Sequence, residues 1–344
     1  MDAPELEEWV ARCGVLAARV REAACGALRD DDLAERTRAV RRGAGDVTYG
    51  LDARCEAAVE AWFEAAARER PLSLLTEDTG WRHRGPGPRG RLGAAVELAG
   101  FEHGGPRLAL DPVDGTRGLM FDLRSAWSVV SLAGPGRGQP RLGDLVHGAL
   151  WELPDSRAAR YRVLAAERGG PCRLEERDLD GDGGARRTTL SADDDDRCDR
   201  GFFPFFRYEP AWRPELARLE ARFFERLERH ERAELRHVFD DQYISNAGQL
   251  ALLALGPYRM VADLRAELAA RRGARTTTSK PYDVAGAILV AEAAGCVLEA
   301  PDGSPLDFAL DCTTPVAFVG WANRATAARL GPHLHAVLAE DPRP

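Results

Sequence analysis

Asp111-Pro112-Val113-Asp114-Gly115-Thr116 is the stretch on which both the fold and the chemistry of this 344-residue chain turn. The apolar run Leu108–Leu110 before it reads as a strand ending at Asp111. Pro112 fixes its own φ and stiffens the exit. Gly115 permits a tight turn and a close approach of backbone to ligand. Two carboxylates three residues apart then project from one turn. A helix starting at Thr116 would aim backbone N–H groups at an anion. Hard oxygen ligands of this kind favour Mg²⁺ or Mn²⁺ over zinc or copper. A bare Asp-Gly-Thr also reads as a helix cap, but the six-residue run is much more specific.

Toward the N-terminus, Leu72–Leu75 reads as a strand running into Glu77 and Asp78. Asp52 leads a helical stretch with Val59, Trp62 and Phe63 on one face, and residues 6–28 show helical spacing at Trp9, Cys13, Leu16 and Val20. The Gly-, Pro- and Arg-rich segment Gly80–Gly93 is expected to be a surface loop. Toward the C-terminus, Trp127–Ala133, Leu145–Leu153 and Arg160–Ala165 read as strands. The polar stretch Gly169–Arg200 is expected to be a loop or a domain junction. Within it, Asp178-x-Asp180-Gly-Asp182 mimics the start of a calcium loop, but Thr189 stands at the twelfth position, and a solvated acidic loop is expected. Asp283–Ala294 reads as a helix with Gly295 at its end. The final helix, Asn323–Leu338, is expected to break near Gly331-Pro332.

The formal net charge of −8 argues against a nucleic-acid polymer as partner. It leaves room for a small phosphorylated metabolite, since bound divalent cations reverse the local sign. No apolar run is long enough to span a bilayer, and the acidic Met1–Glu8 shows no secretory pattern. Seven scattered cysteines without a Cys-x-x-Cys pair fit reduced thiols in a cytoplasmic protein. Lys280 is the only lysine, which draws attention to its position.

Asp111–Thr116 resembles the signature of the inositol monophosphatase superfamily, which also holds fructose bisphosphatases and 3′-phosphoadenosine 5′-phosphate phosphatases. Three further segments match in order. Thr76-Glu77-Asp78 resembles the strand-end Gly-Glu-Glu element. Asp46-Val47-Thr48 with Asp52 and Glu56 resembles the N-terminal element. Lys280-Pro281-Tyr282-Asp283-Val284-Ala285-Gly286 resembles the Trp-Asp-x-Ala-Gly helix start, with Tyr282 in place of Trp. The resemblance implies an α/β (mixed α+β) chain folded as a layered α/β/α/β/α sandwich. An N-terminal α+β half, residues 1–166, would carry most ligands, and a C-terminal α/β half, 167–344, would add Asp283 and specificity.

It further implies Mg²⁺-dependent hydrolysis of a small phosphate monoester, inositol phosphates by default. Glu77, Asp111 and the Val113 carbonyl would hold one magnesium. Asp111, Asp114 and Asp283 would hold a second, and Glu56 would support a third, weaker one. Thr116, paired with Asp52, would activate water with help from Glu77. Gly115, Thr116, Asp114 and Asp283 would touch substrate, as would Lys280 unless it is simply a surface residue. Arg117 and Arg124 read either as anion-binding or as exposed arginines. The alternatives are a 3′-nucleotidase acting on 3′-phosphoadenosine 5′-phosphate, a sugar bisphosphatase, or a catalytically silent binding relative. A homodimer is compatible with the resemblance.

Overall fold

A computed structural model describes residues 1–42, 47–77, 79–87, 93–179 and 184–340. The chain opens with α1 (Ala3–Asp30) and α2 (Leu33–Thr37), a small hairpin of β1 (Ala39–Arg42) and β2 (Val47–Tyr49), and α3 (Gly50–Glu69). Six strands come next: β3 (Leu72–Thr76), β4 (Gly80–Pro86), β5 (Ala95–Glu97), β6 (Arg107–Asp114), β7 (Ala126–Ala133) and β8 (Leu145–Leu153), with α4 (Thr116–Met120) between β6 and β7. Four more are β9 (Arg160–Glu167), β10 (Cys172–Asp178), β11 (Arg186–Leu190) and β12 (Arg200–Phe202). The remainder comprises α5 (Arg213–Arg226), β13 (His237–Phe239), α6 (Asn246–Ala254), β14 (Met260–Asp263), α7 (Arg265–Arg272), α8 (Pro281–Ala293), β15 (Val297–Glu299), β16 (Phe318–Trp321) and α9 (Arg324–Glu340).

Among the described residues the main sheet runs β11-β10-β9-β8-β7-β6-β3-β4-β5, and a second sheet runs β14-β16-β15. Only the β3–β6 pair of the main sheet is parallel; its other neighbours are antiparallel. Side-chain alternation sets the layers. In β7, Ala126, Val130 and Leu132 join the core under α1 and α3, while Trp127, Val129 and Ala133 join the core under α6 and α8. In the small sheet, Val261 and Phe318 face that second core. Met260, Ala262, Val319 and Trp321 face a third core beneath α5 and α9. The result is the expected five-layer α/β/α/β/α stack. The two sheets sandwich α8, which is apolar all round and buried along most of its length. Gly286 lets α8 approach β7 closely: a Cβ there would stand 2.2 Å from the Val130 carbonyl oxygen.

Several expectations are corrected. Gly80–Pro86 is strand β4, antiparallel to β3, rather than loop. Gly169–Arg200 is loop only in part: β10 and β11 extend the main sheet within it, and residues 191–199 carry no helix or strand. These strands are polar because they are stitched by cross-strand ion pairs, Glu175 with Arg187, Glu176 with Arg186 and Asp178 with Arg160. The ladder of β6 continues past Asp111 to Asp114. The last helix continues through Pro332 without a break, its buried Leu330, Leu334, Val337 and Leu338 holding it against the third core. Asp46, Asp78 and the Asp180–Gly183 part of the acidic segment lie outside the described residues.

Candidate active site

In a regular strand, residues three apart point to opposite faces. Asp111 and Asp114 escape that rule through a bulge. Asp111 pairs with Val129 and Asp114 with Trp127, so β6 uses three steps where β7 uses two. Both carboxylates therefore reach the same cleft. Gly115 follows at φ 103°, a left-handed conformation that suits glycine, and caps α4.

That cleft, of about 1730 Å³, is lined by Asp52, Glu77, Asp111, Val113, Asp114, Gly115, Thr116, Lys280 and Asp283. These nine expected site residues thus meet in one place. Asp52 and Asp283 arrive by the same device. Each occupies the third position of a helix and turns its Oδ2 back to accept the N–H of the residue before that helix, Tyr49 at 2.9 Å and Lys280 at 2.8 Å. Neither residue starts its helix; α3 and α8 both begin two residues earlier. Asp111 Oδ1 accepts the Val113 N–H (2.9 Å). Asp114 Oδ2 accepts both the Ser245 hydroxyl (2.8 Å) and the Ala247 N–H (2.6 Å). The Thr116 hydroxyl lies 2.7 Å from Asp52 Oδ1 and 2.9 Å from the Val113 carbonyl. The first turns of α3, α6 and α8 converge here, and their dipoles favour negative charge in the cleft.

Electrostatics mark the cluster out. Burial, then the charges of Asp283, Asp114 and Glu77, push the Asp111 carboxyl well above the usual range. Burial, then Asp114 and Glu77, do the same to Asp283, against the pull of the Lys280 N–H. Burial lifts Asp114 to about 6, held back by its bonds to Ser245 and Ala247 and by the charge of Arg265. Mutually repelling carboxylates, each with an oxygen fixed by a neighbouring N–H or hydroxyl, fit divalent cations with hard oxygen preference. Among the described residues, no group of three or more His, Cys, Asp or Glu side chains stands arranged so that it could hold a metal ion. The donor chemistry, hard oxygen throughout, nonetheless suits magnesium, and Glu77, Asp111, the Val113 carbonyl, Asp114 and Asp283 line the cleft as the groups that would hold it. Glu56 faces the same cleft in a 3.1 Å pair with Arg41.

Lys280 Nζ donates to the Thr278 hydroxyl and the Thr313 carbonyl, both 3.0 Å away, on the cleft wall. Arg117 also lines the cleft, with Tyr208 5.2 Å and Tyr49 5.9 Å from its guanidinium. Of the two readings of Arg124 the structure favours the surface one: it is not among the cleft-lining residues, Asp241 binds it at 2.8 and 2.7 Å, and Tyr243 stacks beneath it. Phe203 and Phe205, close in sequence to Phe206, are core, whereas Phe206 lines the cleft.

Sequence reasoning missed Ser245, Asn246, Asp263 and Arg265. Ser245 carries a readable signal, a serine just before an apolar helix. Arg265 and Asp263 carry none; they form a buried pair (2.6 Å) whose Oδ2 also accepts from Asn246 and Ser279.

No protein-family model matches the sequence, and no curated protein matches it significantly. Solved structures do match. Leishmania major fructose-1,6-bisphosphatase has a TM-score of 0.67 at 11% identity, over 99% of this chain and 96% of that one. An inositol monophosphatase–fructose 1,6-bisphosphatase has a TM-score of 0.63 at 10% identity, over 96% and 99%. An inositol monophosphatase from Zymomonas mobilis has a TM-score of 0.53 at 15% identity, over 94% and 96%. The chain therefore has the fold of the inositol monophosphatase superfamily.

Proposed function

We propose that the protein is a member of that superfamily and hydrolyses a small phosphate monoester with the help of Mg²⁺. The observation that carries this is the convergence of Asp111, Asp114 and Asp283 from separate elements into one electrostatically strained acidic cleft beside the Thr116–Asp52 pair. Divalent cations bound by Glu77, Asp111, Val113, Asp114 and Asp283 would neutralise the transferring phosphoryl group and the leaving oxygen.

The chain's own residues do the rest. Asp52 is fixed by the Tyr49 N–H and accepts the Thr116 hydroxyl proton, so Thr116 Oγ1 can take a proton from the attacking water as it passes its own to Asp52. Water oxygen bonds to phosphorus, the ester P–O bond breaks, and the alcohol leaves with a proton from solvent. Inward-pointing helix N-termini hold the phosphate oxygens. Inositol phosphates are the default substrates. A second reading, a 3′-phosphorylated nucleotide, gains support from Arg117, a cation beside Tyr49 and Tyr208 on the cleft wall near the acids.

Phosphate release from inositol 1-phosphate, fructose 1,6-bisphosphate and 3′-phosphoadenosine 5′-phosphate separates these readings. Preference for the inositol ester supports the default and preference for the nucleotide the second reading. Turnover of none would identify a catalytically silent relative. The remaining expectations, a cytoplasmic protein and a homodimer, stay part of this proposal. Among the described residues no helix is long and apolar enough to cross a membrane.

A further inference from the structure

We infer that Ser245 is a positioning residue for the cation site, which it serves by fixing which oxygen of Asp114 faces the cleft. The inference rests on the metal-dependent reading above. The direction of each hydrogen bond follows from the donors present. The Gly248 N–H donates to Ser245 Oγ at 2.9 Å, so an oxygen lone pair is used there. The single hydroxyl proton is then directed to Asp114 Oδ2, 2.8 Å away. The Ala247 N–H donates to the same Oδ2 at 2.6 Å. Two donors from the start of α6 thus clamp Oδ2, which leaves Oδ1 as the oxygen available to a cation in the cleft that Asp114 lines.

The clamp is anchored on both sides. On the Asp114 side, a Cβ at Gly115 would lie 3.0 Å from the Ser245 Cβ, so the turn after Asp114 and the start of α6 are in direct contact. On the other side, Gly248 accommodates the Tyr243 ring, which would stand 2.3 Å from a Cβ there. The Tyr243 hydroxyl accepts the Trp127 indole N–H (2.9 Å) and donates to the Ser125 carbonyl (2.7 Å). Trp127 is the residue of β7 that pairs with Asp114. Asn246 joins α6 to Asp263, which also accepts the Ser279 hydroxyl (2.9 Å), one residue before Lys280. The segment carrying the clamp is therefore tied both to the strand beside Asp114 and to the segment that delivers Asp283. Ser245 belongs to the C-terminal half of the chain and acts on a carboxylate of the N-terminal half.

Groups that orient a metal ligand through a hydrogen bond typically change metal affinity by about 10–100-fold when removed. Calorimetric Mg²⁺ titration of wild type, Ser245→Ala and Ser245→Thr tests the inference. Ser245→Ala is expected to weaken Mg²⁺ binding at least ~10-fold, with metal-free Tm lowered only by the roughly 1–3 °C that loss of the α6 cap accounts for. Ser245→Thr, which keeps the hydroxyl, is expected to recover most of the affinity. If Ser245→Ala fails to fold, Ser245→Cys replaces it, because a thiol keeps the volume but donates weakly. Wild-type affinity in the variant lacking the hydroxyl overturns the inference and leaves the metal reading intact. Absence of Mg²⁺ binding by the wild-type protein overturns the metal reading itself.

Discussion

Asp111→Asn separates the charge of the acidic cluster from its shape. Asparagine is nearly isosteric and keeps an oxygen for the Val113 N–H that now meets Asp111 Oδ1. Without metal, the substitution removes one member of a group whose like charges push the Asp111 carboxyl upward. At separations of roughly 5 Å and an effective dielectric of about 20, one such repulsion is worth about 3 kcal/mol at most. Partial protonation of the wild-type cluster reduces that gain to about 1–3 kcal/mol. Across 344 residues, each kcal/mol corresponds to about 1.4 °C in Tm. The metal-free variant should therefore melt about 1–4 °C above wild type.

Magnesium should reverse the order. One ion at a hundred times its Kd adds about 2.7 kcal/mol, or about 4 °C, to the wild-type protein. The variant should gain less than about 1 °C under the same conditions. Thermal unfolding followed by circular dichroism, with chelator and then across a Mg²⁺ series, reads both shifts. Equal Mg²⁺-induced shifts in the two proteins would refute the assignment of Asp111 as a ligand. A metal-free variant less stable than wild type would refute the account of charge strain in the cleft.

Other substitutions probe separate parts of the account. Thr116→Ala and Asp52→Asn should each lower kcat for phosphate-ester hydrolysis by about 10²–10⁴-fold with the Mg²⁺-induced Tm shift retained; a fall below tenfold would remove the pair from proton transfer. His147 is buried, its Nδ1 has no partner among the described residues, and burial lowers its pKa to about 4. The folded protein thus binds this proton less tightly than the unfolded chain does. Its neutral form is fully compatible with folding above about pH 6.5, and stability is lost as pH falls from there toward 4, by about 3 kcal/mol in all. His147→Leu should flatten that loss in urea unfolding at pH 7 and 4.5, and an unchanged pH dependence would contradict the burial argument.

The site was more legible in the sequence than the sheet around it. Within Asp111–Thr116 the part written locally is Gly115, whose left-handed φ ends β6 and caps α4. Asp52 and Asp283 sit at third positions of helices, where a carboxylate has a local partner. The bulge that brings Asp111 and Asp114 to one side is invisible in sequence, because it depends on the register with β7. Strands β4, β10 and β11 escaped notice because their residues alternate weakly and are rich in Arg, Glu and Gly; ion pairs with α3 cover β4, and ion pairs between strands join β10 to β11. Pro332 misled in the opposite direction, since contacts of α9 with the third core outweigh the lost backbone bond. Ser245, Asp263 and Arg265 were missed because their roles exist only once distant segments have met.

The central claim is that Glu77, Asp111, Asp114 and Asp283 hold cations that make phosphate-ester hydrolysis possible. Phosphate release from a monoester, measured with chelator and then with Mg²⁺ restored, tests it most directly. The account predicts no turnover above background without the metal and full recovery on its return. Turnover that persists unchanged in chelator would contradict it.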